Sequence, residues 1–136
     1  MKTPRLIILA VICMGLNFGC SGQVSKEDKV EAISELNPVE VYYFHYTRRC
    51  VTCNAVENVS KQAVTEYYKD KVDFASYNLD EEAGKAKGNE LGVAGQTLLI
   101  VSGNTKINIT NEGFMNARSN PEKLKAIIKE KIDPLL

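Results

Sequence analysis

The chain has 136 residues, with 17 basic and 17 acidic side chains and a formal net charge of zero. This length suits one domain with its own hydrophobic core. The balanced charge gives no indication of the basic surface that nucleic-acid binding requires, so no nucleic-acid partner is expected.

The four cysteines divide into two pairs, Cys13 and Cys20 near the N-terminus and Cys50 and Cys53 in the body of the chain. They are too few for a disulfide framework, and the first two fall in a targeting segment. One pair is therefore left for the folded domain.

Residues 1–19 have the pattern of a secretory signal peptide. Lys2 and Arg5 precede an apolar run, Leu6 to Leu16, that is too short to span a bilayer. The Gly-Cys-Ser junction at Cys20 is typical of a bacterial lipoprotein signal and predicts that Cys20 becomes lipidated, with ordinary cleavage after Gly22 as the alternative. Both predict a domain in the bacterial cell envelope, either held to the membrane by a lipid anchor or free in the periplasm, where a disulfide can persist.

Residues 20–37 are mostly polar and charged and are predicted to form a tether. Val30, Ile33 and Leu36 recur at a spacing of three, which predicts a short helix within it. The folded domain is predicted over residues 38–136. It begins with an apolar strand, Val39 to Tyr46, typical of a central strand covered on both faces, and its tyrosines are expected in the core.

The stretch Arg48-Arg49-Cys50-Val51-Thr52-Cys53 joins this strand to a helix predicted from Asn54 to about Lys69. Cysteines three residues apart lie on one side of the first helical turn, close enough to close a disulfide ring. The helix N-terminus and the adjacent Arg48 and Arg49 favour the thiolate, which is the reacting form of cysteine. The stretch therefore predicts a redox-active dithiol.

The remaining pattern predicts three further strands and two further helices. They are a strand over Val72–Leu79, a helix from Asp80 to about Leu91, a hairpin of Thr97–Val101 with Lys106–Thr110, a loop over Asn111–Met115 and a final helix that begins at Asn120-Pro121. The order is β-α-β-α-β-β-α.

This order, with Cys-x-x-Cys at the first strand-to-helix junction, resembles the thioredoxin family in its minimal form, over roughly Val39 to Ile132. The resemblance implies an α/β fold with a central four-stranded mixed sheet flanked by helices. It implies that Cys50 is the nucleophile and Cys53 the resolving thiol of a thiol–disulfide oxidoreductase. Such a protein exchanges disulfides with client proteins and a separate redox partner, and it needs no dissociable cofactor.

The sequence departs from the family in three ways. The proline that the family carries before the third strand is missing from Gly95-Gln96-Thr97. Gln96 lies where the family's substrate-contacting loop would be, so the resemblance makes it a candidate for substrate contact. The buried aspartate of thioredoxin itself, six residues before the first cysteine, is replaced here by Phe44, so proton handling must come from elsewhere. The residues between the cysteines are Val51-Thr52, a pair that tunes the reduction potential in the family.

Two other readings of the cysteine pair stay open. His45, the only histidine, lies five residues before Cys50 and is a candidate base or a third ligand, beside the two cysteines, for a soft metal such as copper(I). A packed core histidine is its more usual role. The other reading is a thioredoxin-fold binding protein with a structural disulfide. A structural zinc site is not expected, since it needs about four ligands.

Overall fold

The computed structural model describes residues 37–136, and the predicted signal peptide, Cys20 and the tether up to residue 36 lie outside this range. Eight regular elements follow one another along the described chain. They are β1 (Val39–His45), α1 (Val51–Tyr68), β2 (Val72–Asn78), α2 (Glu82–Leu91), β3 (Thr97–Ser102), β4 (Thr105–Asn108), α3 (Thr110–Asn116) and α4 (Pro121–Ile132), with single 3₁₀ turns at Lys69–Lys71 and Asp133–Leu135.

The four strands form one mixed sheet in the order β2-β1-β3-β4. β1 is parallel to β2, with His45 opposite Asn78, and antiparallel to β3, with Phe44 opposite Thr97. β3 and β4 form the predicted antiparallel hairpin. The predicted fold class is confirmed, because the sheet is flanked by helices in an α/β arrangement consistent with a thioredoxin-like fold.

β1 is covered on both faces, as its apolar sequence predicts. Val41 and Tyr43 belong to the larger core cluster, which includes buried side chains of α1 and α4. Tyr42 and Phe44 point to the opposite face, where they pack with residues of the second strand and with Leu91 at the end of α2. The alternation of side chains along a strand explains why two cores share one strand.

The prediction of a loop over Asn111–Met115 is wrong, since these residues belong to α3. Asn and Gly are poor helix formers, which favours a loop when the sequence is taken alone. In the fold, a Cβ atom at Gly113 would lie 3.3 Å from side-chain atoms of both Val56 and Leu98. The missing side chain lets α3 approach α1 and β3 closely, and this packing outweighs the weak local preference.

The final helix begins as predicted. The Asn120 side chain accepts a hydrogen bond from the Lys123 N–H at 3.1 Å, and Pro121 occupies the first turn, where it blocks no helical hydrogen bond. Leu124, Ile128 and Ile132 are fully buried against the rest of the larger core. Within residues 37–136, no helix combines the length and hydropathy needed to cross a bilayer.

Candidate functional site

The cysteine pair lies where the chain passes from the end of β1 into the first turn of α1. Cys50 and Cys53 form a disulfide, with their Cα atoms 5.1 Å apart. Cys50 is the N-cap of α1, and its extended backbone (φ −87°, ψ 166°) places it just outside the helix. Its sulfur accepts a hydrogen bond from the Cys53 N–H at 3.2 Å. This N–H belongs to the first turn of the helix, where backbone amides have no partner within the helix.

The two cysteines differ in their access to solvent. Cys50 is exposed, whereas Cys53 is only 3% exposed. Between them, Val51 is 70% exposed and Thr52 is half-buried. A second molecule can therefore reach Cys50, while Cys53 is open mainly to groups of the protein itself.

Gln96 is the residue that the fold brings to the buried sulfur. It precedes β3, and the antiparallel pairing of β3 with β1 places it beside the end of β1 that leads to the cysteines. Its side-chain Nε2 donates a hydrogen bond to Cys53 Sγ over 3.3 Å. The candidate substrate-contact residue is thus placed in direct contact with the disulfide.

The two arginines before Cys50 have different surroundings. Arg48 is exposed, whereas Arg49 is half-buried and forms an ion pair with Glu57. The Arg49 guanidinium also lies 5.8 Å from the centre of the Tyr43 ring. Of these two arginines, Arg48 is the one whose charge has no ion-pair partner among the described residues.

Glu57 was missed as a member of this site. Burial alone would raise the pKa of its carboxyl, but hydrogen bonds from Ser76 and Arg49 and the charge of Arg49 lower the pKa below its ordinary value. Glu57 lies four residues after Cys53 on α1, which puts both side chains on one face of the helix. That spacing is the sequence signal by which Glu57 is found.

His45 packs at the end of β1. Its Nδ1 lies 3.0 Å from the Tyr46 carbonyl oxygen, and its ring stacks on Tyr43 with 5.9 Å between the ring centres. The part of the chain that the structure describes holds no group of three or more His, Cys, Asp or Glu side chains arranged to bind a metal. His45 is thus not placed as a third ligand beside the two cysteines.

The loop before the cysteines is fastened to the end of β2. The Thr47 N–H donates to the Asp80 carboxylate over 2.8 Å, and the Asn78 side-chain amide donates to the Thr47 hydroxyl over 2.9 Å. β1 and β2 are parallel, so the chain segments that follow them meet at the same end of the sheet. Thr47 was not predicted to take part, and these contacts show that it anchors the loop that presents Cys50.

A shallow cleft of about 440 Å³ opens over the disulfide. Its lining consists of Tyr46, Arg48, Arg49, Cys50, Cys53 and Gln96. The core placement predicted for the tyrosines of the first strand holds for Tyr42 and Tyr43 but is wrong for Tyr46, which is 39% exposed because β1 ends at His45. Tyr46 supplies an aromatic wall to the cleft.

No family model and no curated protein matches the sequence. Among solved structures, the chain is similar to one described as "Structure of a malarial protein", with a TM-score of 0.48 and 20% sequence identity. The likeness covers 69% of this chain and 97% of that chain. Function is therefore inferred from the cysteine site itself.

Proposed function

We propose that this protein is a thioredoxin-like thiol–disulfide oxidoreductase of the bacterial cell envelope. The observation that carries the proposal is the Cys50–Cys53 pair at the start of α1, with an exposed first cysteine and a buried second one. Disulfide exchange needs one sulfur that a client can reach and a second, less accessible sulfur. The second sulfur then attacks the mixed disulfide and releases the client.

The mechanism follows from this difference in exposure. In the reduced protein, the Cys50 thiolate attacks one sulfur of a client disulfide, and the other client sulfur leaves as a thiolate. The Cys53 thiolate then attacks Cys50 Sγ in the mixed disulfide, which releases the second client thiolate and closes the Cys50–Cys53 bond. The client gains two electrons and the cysteine pair loses two. The reverse sequence oxidises a client dithiol.

Three features favour the Cys50 thiolate. The hydrogen bond from the Cys53 N–H reaches the Cys50 sulfur, and the positive end of the α1 dipole lies at the same place. Arg48 adds an exposed positive charge to the cleft. All of these groups belong to the chain, so the exchange requires no dissociable cofactor.

The partners we propose are client proteins with accessible thiols or disulfides and a separate redox protein that restores the cysteine pair. The predicted signal peptide and lipidation at Cys20 support a location on the envelope membrane, which is an oxidising setting in which such exchange is useful. The exposed Val51 and Tyr46 beside the disulfide offer a client segment apolar contact.

Trapping the mixed disulfide tests this proposal. The full chain is used with Cys13→Ala and Cys20→Ala, so that Cys50 and Cys53 are the only thiols. With Cys53→Ala added, a peptide that carries a fluorescent disulfide should become attached to Cys50 and stay attached, because no resolving thiol remains. With Cys50→Ala instead, attachment should be at least tenfold slower, since Cys53 is buried. Equal labelling of both variants, or no labelling of either, would contradict the exchange mechanism.

A further inference from the structure

The buried sulfur of the disulfide has a single side-chain hydrogen-bond partner among residues 37–136. Gln96 Nε2 donates to Cys53 Sγ over 3.3 Å, while the other sulfur is contacted by a backbone amide, the Cys53 N–H. Cys53 is 3% exposed, so water has little access to its sulfur. Whatever stabilises charge on this sulfur must come from the protein.

Negative charge develops on Cys53 when a thiolate attacks Cys50 and the disulfide opens. A buried thiolate is costly, and burial raises the pKa of a thiol unless the anion is hydrogen-bonded. Phe44, which is fully buried near the end of β1, has no polar side-chain atom that could take this role. A neutral amide N–H that faces the sulfur lowers the cost of the anion without adding a group that titrates itself.

Charged and titratable groups from the neighbouring elements do not take this role. The residues concerned are His45 and Tyr46 at the end of β1, Arg48 and Arg49 in the loop, Glu57 on α1 and Glu112 on α3. None of them forms a hydrogen bond to either sulfur in the described part of the chain. The Arg49 guanidinium instead forms an ion pair with the Glu57 carboxylate.

The position of Gln96 is fixed by the sheet. Thr97, the next residue, pairs with Phe44 across the β1–β3 ladder and is buried. The Thr97 hydroxyl donates to the Gly95 carbonyl oxygen over 2.9 Å, which holds the turn on the other side of Gln96. The amide is therefore held at the sulfur before any client arrives.

We propose that Gln96 is a catalytic residue of the exchange, and that its amide N–H stabilises the Cys53 thiolate formed when the Cys50–Cys53 bond opens. This role rests on the proposed function. When a client dithiol is oxidised, its thiolate bonds to Cys50 Sγ, and the electron pair of the broken S–S bond moves to Cys53 Sγ. The second client thiolate then attacks the first client sulfur, and Cys50 leaves as a thiolate. The client loses two electrons and the cysteine pair gains them.

The first test measures the Cys53 thiol alone. The full chain carries Cys13→Ala, Cys20→Ala and Cys50→Ala, and the ultraviolet absorbance of the thiolate is followed against pH, with the same chain carrying Cys53→Ala subtracted to remove the tyrosine signal. Gln96→Leu should raise the Cys53 pKa by about one unit, which is a tenfold smaller thiolate fraction below that pKa. Gln96→Glu should raise the pKa further, because a carboxylate cannot donate and adds a negative charge.

Gln62→Leu is the matched control, since Gln62 is an exposed glutamine nine residues after Cys53 on the same helix. It should leave the Cys53 pKa unchanged. A shift of the same size in Gln62→Leu and Gln96→Leu would contradict the role of the Gln96 amide. If Gln96→Leu does not fold, Gln96→Glu still tests the direction of the shift.

The second test measures the intact cysteine pair against glutathione. At a pH above the Cys53 pKa of both proteins, loss of the N–H donor should destabilise the reduced form, so Gln96→Leu should shift the equilibrium about tenfold toward the disulfide, which is about 30 mV more negative for two electrons. If the pair exchanges normally and Gln96→Leu behaves like Gln62→Leu in both measurements, the role of Gln96 is overturned and the proposed function stands. If the unaltered pair does not exchange with glutathione at all, both are overturned.

Discussion

The guanidinium of Arg49 binds the carboxylate of Glu57, although Arg49 is the residue directly before Cys50. The two side chains are 22% and 21% exposed, and the guanidinium also lies over the Tyr43 ring. The positive charge nearest to Cys50 in sequence is thus neutralised within the fold. Arg49 holds the loop to α1, and Arg48 is left as the charge that faces incoming molecules.

Separating this ion pair should destabilise the fold. Arg49→Gln and Glu57→Gln should each lower the free energy of unfolding by about 1 kcal/mol, and the double variant should lose less than their sum by roughly 0.5–1 kcal/mol. Urea unfolding of the four proteins measures this coupling. The control is the exposed pair Lys131 and Glu130, whose side chains are 39% and 70% exposed and whose coupling should be close to zero. Strictly additive effects of Arg49→Gln and Glu57→Gln would contradict the structural role of the pair.

The stabilisation that this ion pair gives the fold should be lost in acid. The pKa of Glu57 is lower in the folded protein than its ordinary value, so its contribution to stability is complete above the unfolded pKa of about 4.3 and is lost as the pH falls through the lower folded value. Stability should therefore fall less steeply in acid for Glu57→Gln than for the unaltered protein. Parallel acid curves for the two proteins would show that the Glu57 carboxylate contributes nothing.

Arg48 should accelerate reaction with anionic thiols. It is exposed, lines the cleft and has no ion-pair partner among residues 37–136. Arg48→Gln should slow the reaction of Cys50–Cys53 with reduced glutathione about two- to fivefold in dilute buffer, and the difference should shrink near 1 M salt because exposed charges are screened there. Lys71→Gln is the control, since Lys71 precedes β2 and so lies at the opposite end of the sheet from the cysteines. A difference that salt does not change would contradict an electrostatic role.

Asp80 should hold the loop before Cys50 in place through its hydrogen bond with the Thr47 N–H. The backbone N–H of Thr47, and then its hydroxyl, lower the pKa of Asp80 below its ordinary value. The Thr47 amide resonance should therefore titrate with a midpoint below about pH 3.9. Asp80→Ala should increase the hydrogen-exchange rate of this amide, whereas Asp80→Asn, which keeps an oxygen acceptor, should change it less. A midpoint at or above pH 3.9 would show that this hydrogen bond does not form.

Gly84 is required where α2 crosses the end of β2. A Cβ atom at this position would lie 1.9 Å from the Asn78 carbonyl oxygen, so backbone must move to accept it. Gly84→Ala should lower the free energy of unfolding by about 2 kcal/mol, although alanine has the higher helix propensity. At Gly88 the closest atoms are Leu79 Cδ2 at 3.1 Å and the Val93 carbonyl oxygen at 3.3 Å, which need only a small shift, and Gly88→Ala should cost less than half as much. Equal effects in urea unfolding would contradict this difference.

The strands and the cysteine junction were predictable because they depend on local pattern. The apolar run of β1 and a long helix after the cysteine pair follow from residue type and spacing, although α1 begins at Val51 and not at the predicted Asn54. Tyr46 and α3 were not predictable, because the exposure of Tyr46 depends on where β1 ends and α3 depends on the close packing that Gly113 permits.

The partners of polar side chains were the least predictable part of the site. Arg49 is a long and flexible side chain, and its choice of Glu57 is decided only when α1 packs against the sheet. The contact between Gln96 and Cys53 joins residues 43 positions apart, and it depends on the register between β3 and β1. The resemblance to the thioredoxin family predicted that Gln96 lies near the site. Its contact with the sulfur of Cys53 is evident only from the fold.

The reduction potential of the Cys50–Cys53 pair tests the proposed function most directly. The full chain with Cys13→Ala and Cys20→Ala is equilibrated against mixtures of reduced and oxidised glutathione, and the fraction of disulfide is read after acid quenching and thiol labelling. We expect a reversible couple between about −120 and −270 mV, the range of working thiol–disulfide oxidoreductases. A pair that stays oxidised to below about −300 mV would contradict the proposed function and identify the disulfide as structural.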